Sequence, residues 1–379
     1  MFALLAGANA PTPLYDLYFT EWHLSALELA AIFATYPLTL VGALWAVGRL
    51  SDRFGRRPVI VASLCAAALG SLLFAVANGP ALLFAGRVAQ ALGVALLSGS
   101  ASAALVELEP HGSTRRASVT ATVMLTLGSG TAPLITGLLV EYAPEPTVLA
   151  FALHVSVVVP LIFMAWRIPE TAPPEARDSW RPRRPSVPPN IRLPFAIASL
   201  AGGLAWLTAA ILFSLIPSYL RVTLGVGNPA VVGIPAFLML AVSTATQLAP
   251  TRLDDRGLMG CGLALGAIGT ACLVAAVPFH SLVPVGIGAV LSGAGHGCSL
   301  KGSLATIARI APIDARGELF SLHYAIVYLI VGLPIVAAGA LVGGLGFFHA
   351  FAIFAGIVTL LASVTGLGLR FVPPAAVRS

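Results

Sequence analysis

Long apolar runs, interrupted by short polar segments, occupy most of the 379-residue chain. Each run lasts about 20 to 25 residues, the length that an α-helix needs to cross roughly 30 Å of hydrocarbon. The apolar positions are nearly continuous and do not alternate as they do in the strands of a membrane β-barrel. The pattern therefore predicts an all-α membrane protein with twelve spanning helices. The predicted helices cover 2–19, 25–47, 58–77, 81–106, 116–142, 146–166, 194–219, 229–250, 259–278, 282–308, 317–342 and 347–371.

The amino-acid composition agrees with this pattern. Hydrophobic residues make up 58% of the chain and charged residues only 9%, and the mean hydropathy is +0.94. A soluble domain usually carries about 25% charged residues. We therefore expect the chain to be embedded in a lipid bilayer.

The basic residues predict the orientation of the helices. Most of the 21 Lys and Arg residues fall in loops on one side of the predicted arrangement, and only Arg87, Arg221 and Lys301 do not. Because loops rich in Lys and Arg stay in the cytoplasm, that side is predicted to be cytoplasmic, with both termini there. The net charge of +6 is then an orientation signal and predicts no nucleic-acid partner. We expect a multi-pass protein of the cytoplasmic membrane.

An internal repeat divides the chain into two halves. The segment RLSDR at 49–53 recurs as RLDDR at 252–256, each time after the second helix of its half. Residues 168–193 are rich in Pro and Arg, which is typical of a cytoplasmic linker. The predicted domains are a six-helix bundle at 1–167, that linker, and a second six-helix bundle at 194–379. Duplicated halves of this kind are typical of secondary transporters.

The stretch GRLSDRFGRRP, between the second and third predicted helices, resembles the signature loop of the major facilitator superfamily. In helix four, Arg87, Gln90 and Gly93 are similar to that family's R-x-x-Q-x-x-G element. The resemblance implies two pseudo-symmetric six-helix bundles, efflux of a drug or other small molecule, and transport by alternating access. The residues that match the signature loop are Gly48, Leu50, Asp52, Arg53, Gly55, Arg56 and Arg57.

Helix five carries a third resemblance to the same family. Gly130, Pro133 and Gly137 match the family's antiporter motif, and the chain departs from that motif at Ala132, where Gly usually precedes the proline. The motif implies exchange of substrate against protons.

The signature loop is expected to latch the cytoplasmic side of the transporter. The resemblance implies that Asp52 lies against the start of helix eleven near Arg316, where the positive end of the helix dipole favours a carboxylate. Opening of the inner gate then requires these contacts to break. The alternative is that the arginines of the loop only set the membrane topology. The expected ion pairs join Arg53, Arg56 and Arg57 to Asp52, Glu107 or Glu109.

Polar side chains are rare inside the predicted helices, where a central charge costs about 2.5 to 3.5 kcal/mol. In helix one, Asn9, Thr12 and Asp16 form one stripe, and Asp16 either carries protons or is solvated near the outer end. In helix four, Arg87 and Gln90 share a face. Because an arginine keeps its proton, Arg87 either acts on a carboxylate or an anionic group of the substrate, or belongs to a buried structural pair.

His154, His296 and His323 lie within the predicted helices six, ten and eleven. A histidine titrates near neutral pH, so these residues are candidates for a proton or substrate pathway. Tyr324 and Gln247 are further candidates to line that pathway. The alternative for each histidine is a hydrogen-bonded packing role.

Lys301, the only lysine of the chain, lies in helix ten, eight residues before Arg309 at the predicted inner boundary. At about 1.5 Å per residue its backbone lies about 12 Å from that boundary, and its side chain spans only about 6 Å. We therefore expect Lys301 to face a water-accessible cavity. The alternative is a helix boundary displaced by one turn, with the ammonium group at the lipid headgroups.

Other functional classes lack their sequence signatures. The segment SLKGS at 299–303 is not a phosphate-binding G-x-x-x-x-G-K-[ST] loop, and the chain contains no metalloprotease motif and no repeated pore element. The four cysteines have no paired spacing, so neither a disulfide framework nor a metal site is expected. We expect no enzymatic activity and no cofactor.

Together these features predict a monomeric secondary transporter that exports a small organic or amphipathic molecule in a proton-linked exchange. Two alternatives stay open. One is a proton-coupled importer of a sugar or organic acid, and the other is a non-transporting sensor on the same fold.

Overall fold

The computed structural model describes residues 1–47, 50–108, 110, 114–170, 187–312 and 316–373, and within these ranges all regular structure is helical. The short helices are α1 (Phe2–Asn9), α2 (Tyr15–Glu21), α4 (Leu50–Phe54) and α10 (Ile216–Val222). The long helices are α3 (Ala26–Val47), α5 (Arg56–Ala75), α6 (Pro80–Glu107), α7 (Thr114–Tyr142), α8 (Pro146–Trp166), α9 (Arg192–Ser214), α11 (Pro229–Leu248), α12 (Asp255–Phe279), α13 (Leu282–Ile310) and α14 (Arg316–Gly368).

Ten helices of the described chain are long and apolar enough to cross a membrane. They follow the order of the predicted helices, which confirms the multi-pass, all-helical membrane fold. The predicted eleventh and twelfth helices form one continuous helix, α14, in which Gly346 has a non-helical φ of 76° and ψ of 170°. A count of twelve spans therefore requires division of α14 at Gly346 and treatment of the first, interrupted helix as one span.

Two prolines interrupt the first predicted helix. Pro11 and Pro13 lack a backbone N–H, so they cannot donate to the carbonyl groups four residues earlier. α1 ends at Asn9, a 3₁₀ turn covers Thr12–Leu14, and α2 begins at Tyr15. The prediction of one continuous helix over 2–19 is wrong at this point.

The structure places the start of α12 earlier than the apolar pattern predicts. α12 begins at Asp255 instead of residue 259 because Asp254 caps it. The Asp254 Oδ1 atom accepts a hydrogen bond of 2.8 Å from the backbone N–H of Gly257. An aspartate in this position satisfies one of the free N–H groups of the first turn and so extends the helix towards itself.

The chain divides into two compact units. The first unit comprises Met1–His23, Thr35–Arg183 and Asn228–Ile234. The second unit comprises Leu24–Ala34, Arg184–Gly227 and Pro235–Ser379. The predicted bundle boundaries at 167 and 194 stay a prediction.

Small residues let the helices of the first unit approach closely. A Cβ atom at Gly86 of α6 would lie 2.6 Å from the Phe74 ring of α5, and one at Gly93 would lie 2.9 Å from the Ser63 carbonyl oxygen. The Phe74 ring in turn stacks on Phe151 of α8 with the centroids 4.9 Å apart. Close packing around glycine is common where helices meet in a membrane.

The second unit has a longer glycine seam between α12 and α13. A Cβ atom at Gly288 would lie 2.9 Å from the Gly269 carbonyl oxygen, and one at Gly295 would lie 2.6 Å from the backbone nitrogen of Gly266. The two backbones are therefore in direct contact over several turns. Any larger side chain in this seam would force the helices apart.

Candidate functional site

A buried polar cluster in the first unit centres on Arg87 of α6. Its side chain is 1% exposed. The guanidinium group donates hydrogen bonds to the Ala8 carbonyl oxygen at 2.5 Å, to the Gln90 Oε1 atom at 3.0 Å, and to the Tyr15 hydroxyl group. Gln90, 3% exposed, uses its amide N–H to donate to the Gly7 carbonyl oxygen at 2.9 Å.

The proline break explains why these carbonyl groups are available. In an unbroken helix the Gly7 carbonyl would accept from residue 11, but Pro11 has no N–H. Inside a membrane an unsatisfied carbonyl costs several kcal/mol, so a side chain must replace the missing donor. Gln90 supplies it to Gly7, and Arg87 donates to the neighbouring Ala8 carbonyl, at the point where α1 gives way to the 3₁₀ turn. The R-x-x-Q element therefore stabilises the break in the first helix.

Aromatic rings surround the same guanidinium group. The Arg87 Cζ atom lies 5.6 Å from the ring centroid of Tyr15, 5.7 Å from that of Tyr36 and 6.0 Å from that of Phe74. These distances are within the range of cation–π attraction. The predicted action of Arg87 on a carboxylate or on an anionic group of the substrate stays a prediction.

The other two predicted residues of helix one are described only in part. Asn9 donates from its Nδ2 atom to the Leu5 carbonyl oxygen at 2.9 Å, a local contact within α1. Asp16 lies in α2, and its side chain is outside the described part of the structure. Its predicted role stays a prediction.

His154 of α8 is buried and has a partner at each ring nitrogen. Its Nδ1 atom lies 2.7 Å from Ser71 Oγ, and its Nε2 atom lies 2.8 Å from the Ala3 carbonyl oxygen. A carbonyl only accepts, so Nε2 carries the proton and Nδ1 accepts from the serine. The ring also covers Gly7, where a Cβ atom would lie 2.5 Å from it. His154 thus joins α1, α5 and α8.

His296 of α13 has a partner on one side only. Its Nδ1 atom lies 2.7 Å from Ser243 Oγ, and Gln247 donates to the same oxygen at 3.1 Å. The ring meets Trp206 of α9 edge to face, with the centroids 4.6 Å apart. In the described chain no hydrogen-bond partner is found for the Nε2 atom, although the residue is 1% exposed. Gln247, Ser243 and His296 thus form one chain of hydrogen bonds.

His323 of α14 lies against α9. Its Nδ1 atom is 3.2 Å from Ser199 Oγ, and a Cβ atom at Gly202 would lie 2.9 Å from the ring. Tyr324 contacts the same imidazole edge to face at 5.3 Å. His323 is completely buried, which places it inside the second unit.

Lys301 caps the end of a neighbouring helix. Its ammonium group donates to the Ala249 carbonyl oxygen at 2.8 Å. α11 ends at Leu248, so this carbonyl is one of those left free at a helix C-terminus, where a positive charge is favourable. The contact supports the alternative in which Lys301 reaches the polar end of its helix. It does not support the predicted role in a cavity.

The signature loop is described in part. Gly48 and Arg49 lie outside the described residues, and the side chains of Asp52 in α4 and Arg316 in α14 are likewise outside them. Glu109 is also outside the described range. The predicted contact of Asp52 with helix eleven therefore stays a prediction.

The described part of the loop shows one predicted ion pair. The Arg56 Nη2 atom lies 3.5 Å from Glu107 Oε1, joining the start of α5 to the end of α6. Arg57 places its guanidinium group 6.0 Å from the Trp166 ring centroid at the end of α8, and Arg53 lies 5.3 Å from the ring of Phe54.

Glu170 is a residue of this cluster that the sequence does not predict. Its carboxylate accepts from the backbone N–H groups of Arg56 at 2.7 Å and Arg57 at 3.2 Å, and thereby caps α5. Gly55 precedes this cap with a φ of +99°, and a Cβ atom there would lie 2.7 Å from the Glu170 carboxyl carbon. Glycine is thus required at position 55 both for its backbone angle and for space. The only signal in the sequence is an acidic residue just after helix six.

The helix-five motif forms a close contact in the first unit. Gly130, Pro133 and Gly137 of α7 are all buried. A Cβ atom at Gly137 would lie 2.6 Å from the Pro229 carbonyl oxygen, and one at Gly233 would lie 2.6 Å from the Pro133 carbonyl oxygen. The motif therefore lets α7 and the start of α11 approach each other closely through their backbones.

The described residues include no group of three or more His, Cys, Asp or Glu side chains arranged to hold a metal ion. The polar clusters consist instead of Arg, Gln, Ser, Tyr and His. Such groups donate and accept hydrogen bonds and, at histidine, exchange protons.

The chain is similar to known transport proteins over most of its length. The family model of the Major Facilitator Superfamily matches residues 1–256. The cephamycin export protein CmcT of Amycolatopsis lactamdurans is 30% identical over 334 residues, which cover 84% of this chain. The chain spans 62% of the length of that relative.

Solved structures of other transporters have the same fold. A peptide transporter POT matches with a TM-score of 0.79 at 15% identity, covering 98% of this chain and 93% of that chain. A D-xylose-proton symporter matches with a TM-score of 0.77 at 13% identity, covering 98% and 96%. At such identities the likeness shows the fold alone. The family model covers more than half of the sequence, and the chain therefore belongs to the Major Facilitator Superfamily.

Proposed function

We propose that this transporter exports a small organic or amphipathic molecule in exchange for protons, by alternating access. The observation that carries the direction is the 30% identity to a cephamycin export protein over 84% of the chain. The membrane is proposed to be the cytoplasmic membrane with both termini inside, because the basic residues concentrate in loops on one side.

The proton linkage is supported by the buried histidines. His154, His296 and His323 lie on three different membrane helices, and each is buried beside a serine hydroxyl. Histidine is the only side chain whose unperturbed pKa lies near neutral pH, so these three residues are the candidate proton carriers among the groups described inside these helices. The buried helix-five motif in α7 further supports exchange rather than symport.

The substrate class is proposed from the same relative. Its name states export of a cephamycin, so an antibiotic of that class is the first substrate to test.

Everted membrane vesicles test the direction and the coupling together. Respiration acidifies the lumen of such vesicles, so a proton-linked exporter will accumulate labelled cephamycin inside them, and a protonophore will abolish the accumulation. Vesicles without the protein provide the background. Accumulation in right-side-out vesicles only would overturn the proposal in favour of import, and binding without flux in either orientation would favour a sensor.

The signature loop is proposed to latch the cytoplasmic gate through Asp52. A carboxylate at a helix N-terminus contributes about 0.3 to 2 kcal/mol. Asp52→Asn should therefore lower flux about two- to thirty-fold while insertion and expression stay nearly normal. Initial rates in proteoliposomes check this, with Arg53→Ala as a milder control because neighbouring arginines replace its charge. Unchanged flux in Asp52→Asn would remove the latch from the proposal.

A further inference from the structure

The second unit contains a small cavity between four helices. Residues of α9, α12, α13 and α14 surround it, and its polar lining consists of Thr208, Ser292, His296 and Ser299. The space amounts to about 270 Å³ when its opening is included, but its interior accommodates only about one water molecule. All four helices belong to the second unit at these positions.

Two atoms of the lining have unused hydrogen-bonding capacity. Ser292 Oγ and His296 Nε2 have no partner among the described residues, and both side chains are 1% exposed. The two residues are four positions apart on α13, so they project from the same helix face. A buried polar atom without a partner costs about 1 to 3 kcal/mol, and native structures usually satisfy it with protein groups or ordered water.

The neighbours of His296 allow a choice of the ring nitrogen that carries the proton. Gln247 donates an N–H to Ser243 Oγ, and the Ser243 hydroxyl keeps one proton to donate and a second lone pair to accept with. We assign its proton to the hydrogen bond with His296 Nδ1, which puts the ring proton of the neutral imidazole on Nε2. The cavity therefore has a donor at His296 Nε2 and a hydroxyl at Ser292 that both donates and accepts.

The other two histidines differ from His296. Both ring nitrogens of His154 already have partners, Ser71 and the Ala3 carbonyl. His323 also has an Nε2 atom without a partner in the described chain, but it is not among the residues that line this cavity. His296 alone of the three combines an available nitrogen with adjoining space for a ligand.

We propose that the cavity binds one water molecule between His296 Nε2 and Ser292 Oγ, and that this hydrated histidine carries the exchanged proton. The Nε2–H group donates to the water, which in turn donates to Ser292. A proton that arrives from the Ser243 side is taken up at Nδ1, and the proton at Nε2 leaves to the water, so one proton enters and one leaves the ring. The carrier role rests on the proposed proton-linked function, whereas the water site does not.

The helices around this site carry few titratable side chains. Besides His296, those of α13 are Cys298, Lys301 and Arg309, those of α12 are Asp255, Arg256, Cys261 and Cys272, and the described ones of α14 are Glu318, His323, Tyr324, Tyr328 and His349. None of these residues lines the cavity, and the polar or aromatic side chains of α9 and α11 that touch it or His296 and its partner are Trp206, Thr208, Ser243 and Gln247. A proton at His296 therefore meets no described carboxylate that would compete for it.

Radiolytic hydroxyl labelling of the purified protein tests the water site without any substrate. Radicals formed from a bound water attack the side chains that touch it, so His296 should be labelled although it is buried, and His323, which is equally buried, should be labelled several-fold less. Mass spectrometry of the peptides quantifies both. Equal labelling of the two histidines, or protection of His296, would overturn the water site.

Flux measurements test the carrier role. The response of cephamycin flux to an imposed pH gradient should be lost in His296→Gln and strongly reduced in Ser292→Ala. Ser303→Ala is the matched control, because Ser303 is also buried on α13 but donates to the Leu300 carbonyl at 3.1 Å. Its response should equal that of the unmodified protein. Thermal unfolding of each variant verifies that it is folded.

The outcomes separate the two proposals. Labelling of His296 with no gradient response in the unmodified protein would refute the proton-linked function and the carrier role while confirming the water site. A gradient response that survives in both His296→Gln and Ser292→Ala would leave the proton-linked function standing and refute His296 as its carrier.

Discussion

α5 of the first unit and α12 of the second unit each follow one copy of the repeated loop, but different residues stabilise their first turns. α12 is capped by Asp254, the residue just before it, at 2.8 Å from the Gly257 nitrogen. α5 has no side-chain cap from its preceding residue, Gly55, and begins with two arginines at the positive end of its dipole. Its cap is Glu170, 114 residues away from Arg56.

The ion pairs at the starts of α5 and α12 also have opposite polarity. In the second unit Asp255 at the start of α12 pairs with Arg309 at the end of α13 at 3.1 Å, which agrees with both helix dipoles. In the first unit Arg56 at the start of α5 pairs with Glu107 at the end of α6, which opposes both. The first turn of α5 therefore receives its carboxylate cap from the distant Glu170, whereas the first turn of α12 receives its cap from the adjacent Asp254.

The break in the first helix of the first unit is likewise stabilised by residues far away in the sequence. Its free carbonyls are satisfied by Arg87 and Gln90 from α6, more than seventy residues along the chain. Each of these contacts joins elements far apart in the sequence, whereas the cap of α12 is local, so we expect substitutions in them to cost more than at the matched positions of the second unit.

The largest difference in stability between the two units is expected for the matched variants Gly55→Ala and Gly257→Ala. At Gly55 the φ of +99° and the nearby Glu170 carboxylate both oppose a methyl group, so about 1 to 3 kcal/mol of stability should be lost. Gly257 lies in the first turn of α12, where a Cβ atom would lie 3.1 Å from Asp254 Oδ1 and at ordinary contact distance, 3.4 Å, from Leu253 Cδ2. Alanine there should be neutral or stabilising, since it favours helix by about 1 kcal/mol over glycine. Thermal unfolding midpoints in detergent measure both, and equal shifts would remove the contrast.

The second difference concerns the proline break. Gln90→Leu leaves the Gly7 carbonyl without a donor and should cost about 1 to 3 kcal/mol. Pro11→Ala restores a backbone N–H that can donate to the same carbonyl, so the double variant Gln90→Leu/Pro11→Ala should recover most of that loss. A double-mutant cycle on unfolding free energies measures the coupling. Additive effects would show that Gln90 does not replace the missing donor.

The sequence predicts the helices well because the signals for each helix are local. A run of apolar residues identifies its own span, and Pro11 and Pro13 are helix breakers by residue type alone. The early start of α12 also has a local signal, since Asp254 is a strong N-cap residue that a purely apolar criterion ignores.

The polar sites are predicted less well because they depend on which helices are neighbours. The pairing of Gln90 with Gly7, and of Glu170 with α5, joins residues far apart in sequence, and periodicity contains no information about such contacts. His296 is a candidate from its residue type alone. Its distinction from His154 and His323 depends on the partners that the fold brings to each ring nitrogen.

A smaller difference in stability is expected between the two cap variants, Glu170→Gln and Asp254→Asn. The glutamine loses the negative charge that offsets the arginines at the start of α5, which should cost about 0.5 to 1 kcal/mol, and this loss should shrink in high salt. The asparagine retains a good cap oxygen, so its effect should be close to zero. Unfolding at low and high ionic strength separates the charge effect from the hydrogen bonds. A salt-independent loss in Glu170→Gln would contradict the electrostatic explanation.

The smallest effect is expected at Lys301 in the second unit. Its ammonium group makes one hydrogen bond, to the Ala249 carbonyl at the end of α11, and the contact is exposed. Water replaces such a partner easily, so Lys301→Met should cost only about 0.3 to 1 kcal/mol. Because the apolar stem of the side chain is kept, flux, apparent affinity and pH dependence in proteoliposomes should match those of the unmodified protein. A change in any of these transport parameters, with stability unaffected, would show that Lys301 serves the substrate pathway as the sequence predicts and that its contact with Ala249 belongs to one state of the transport cycle.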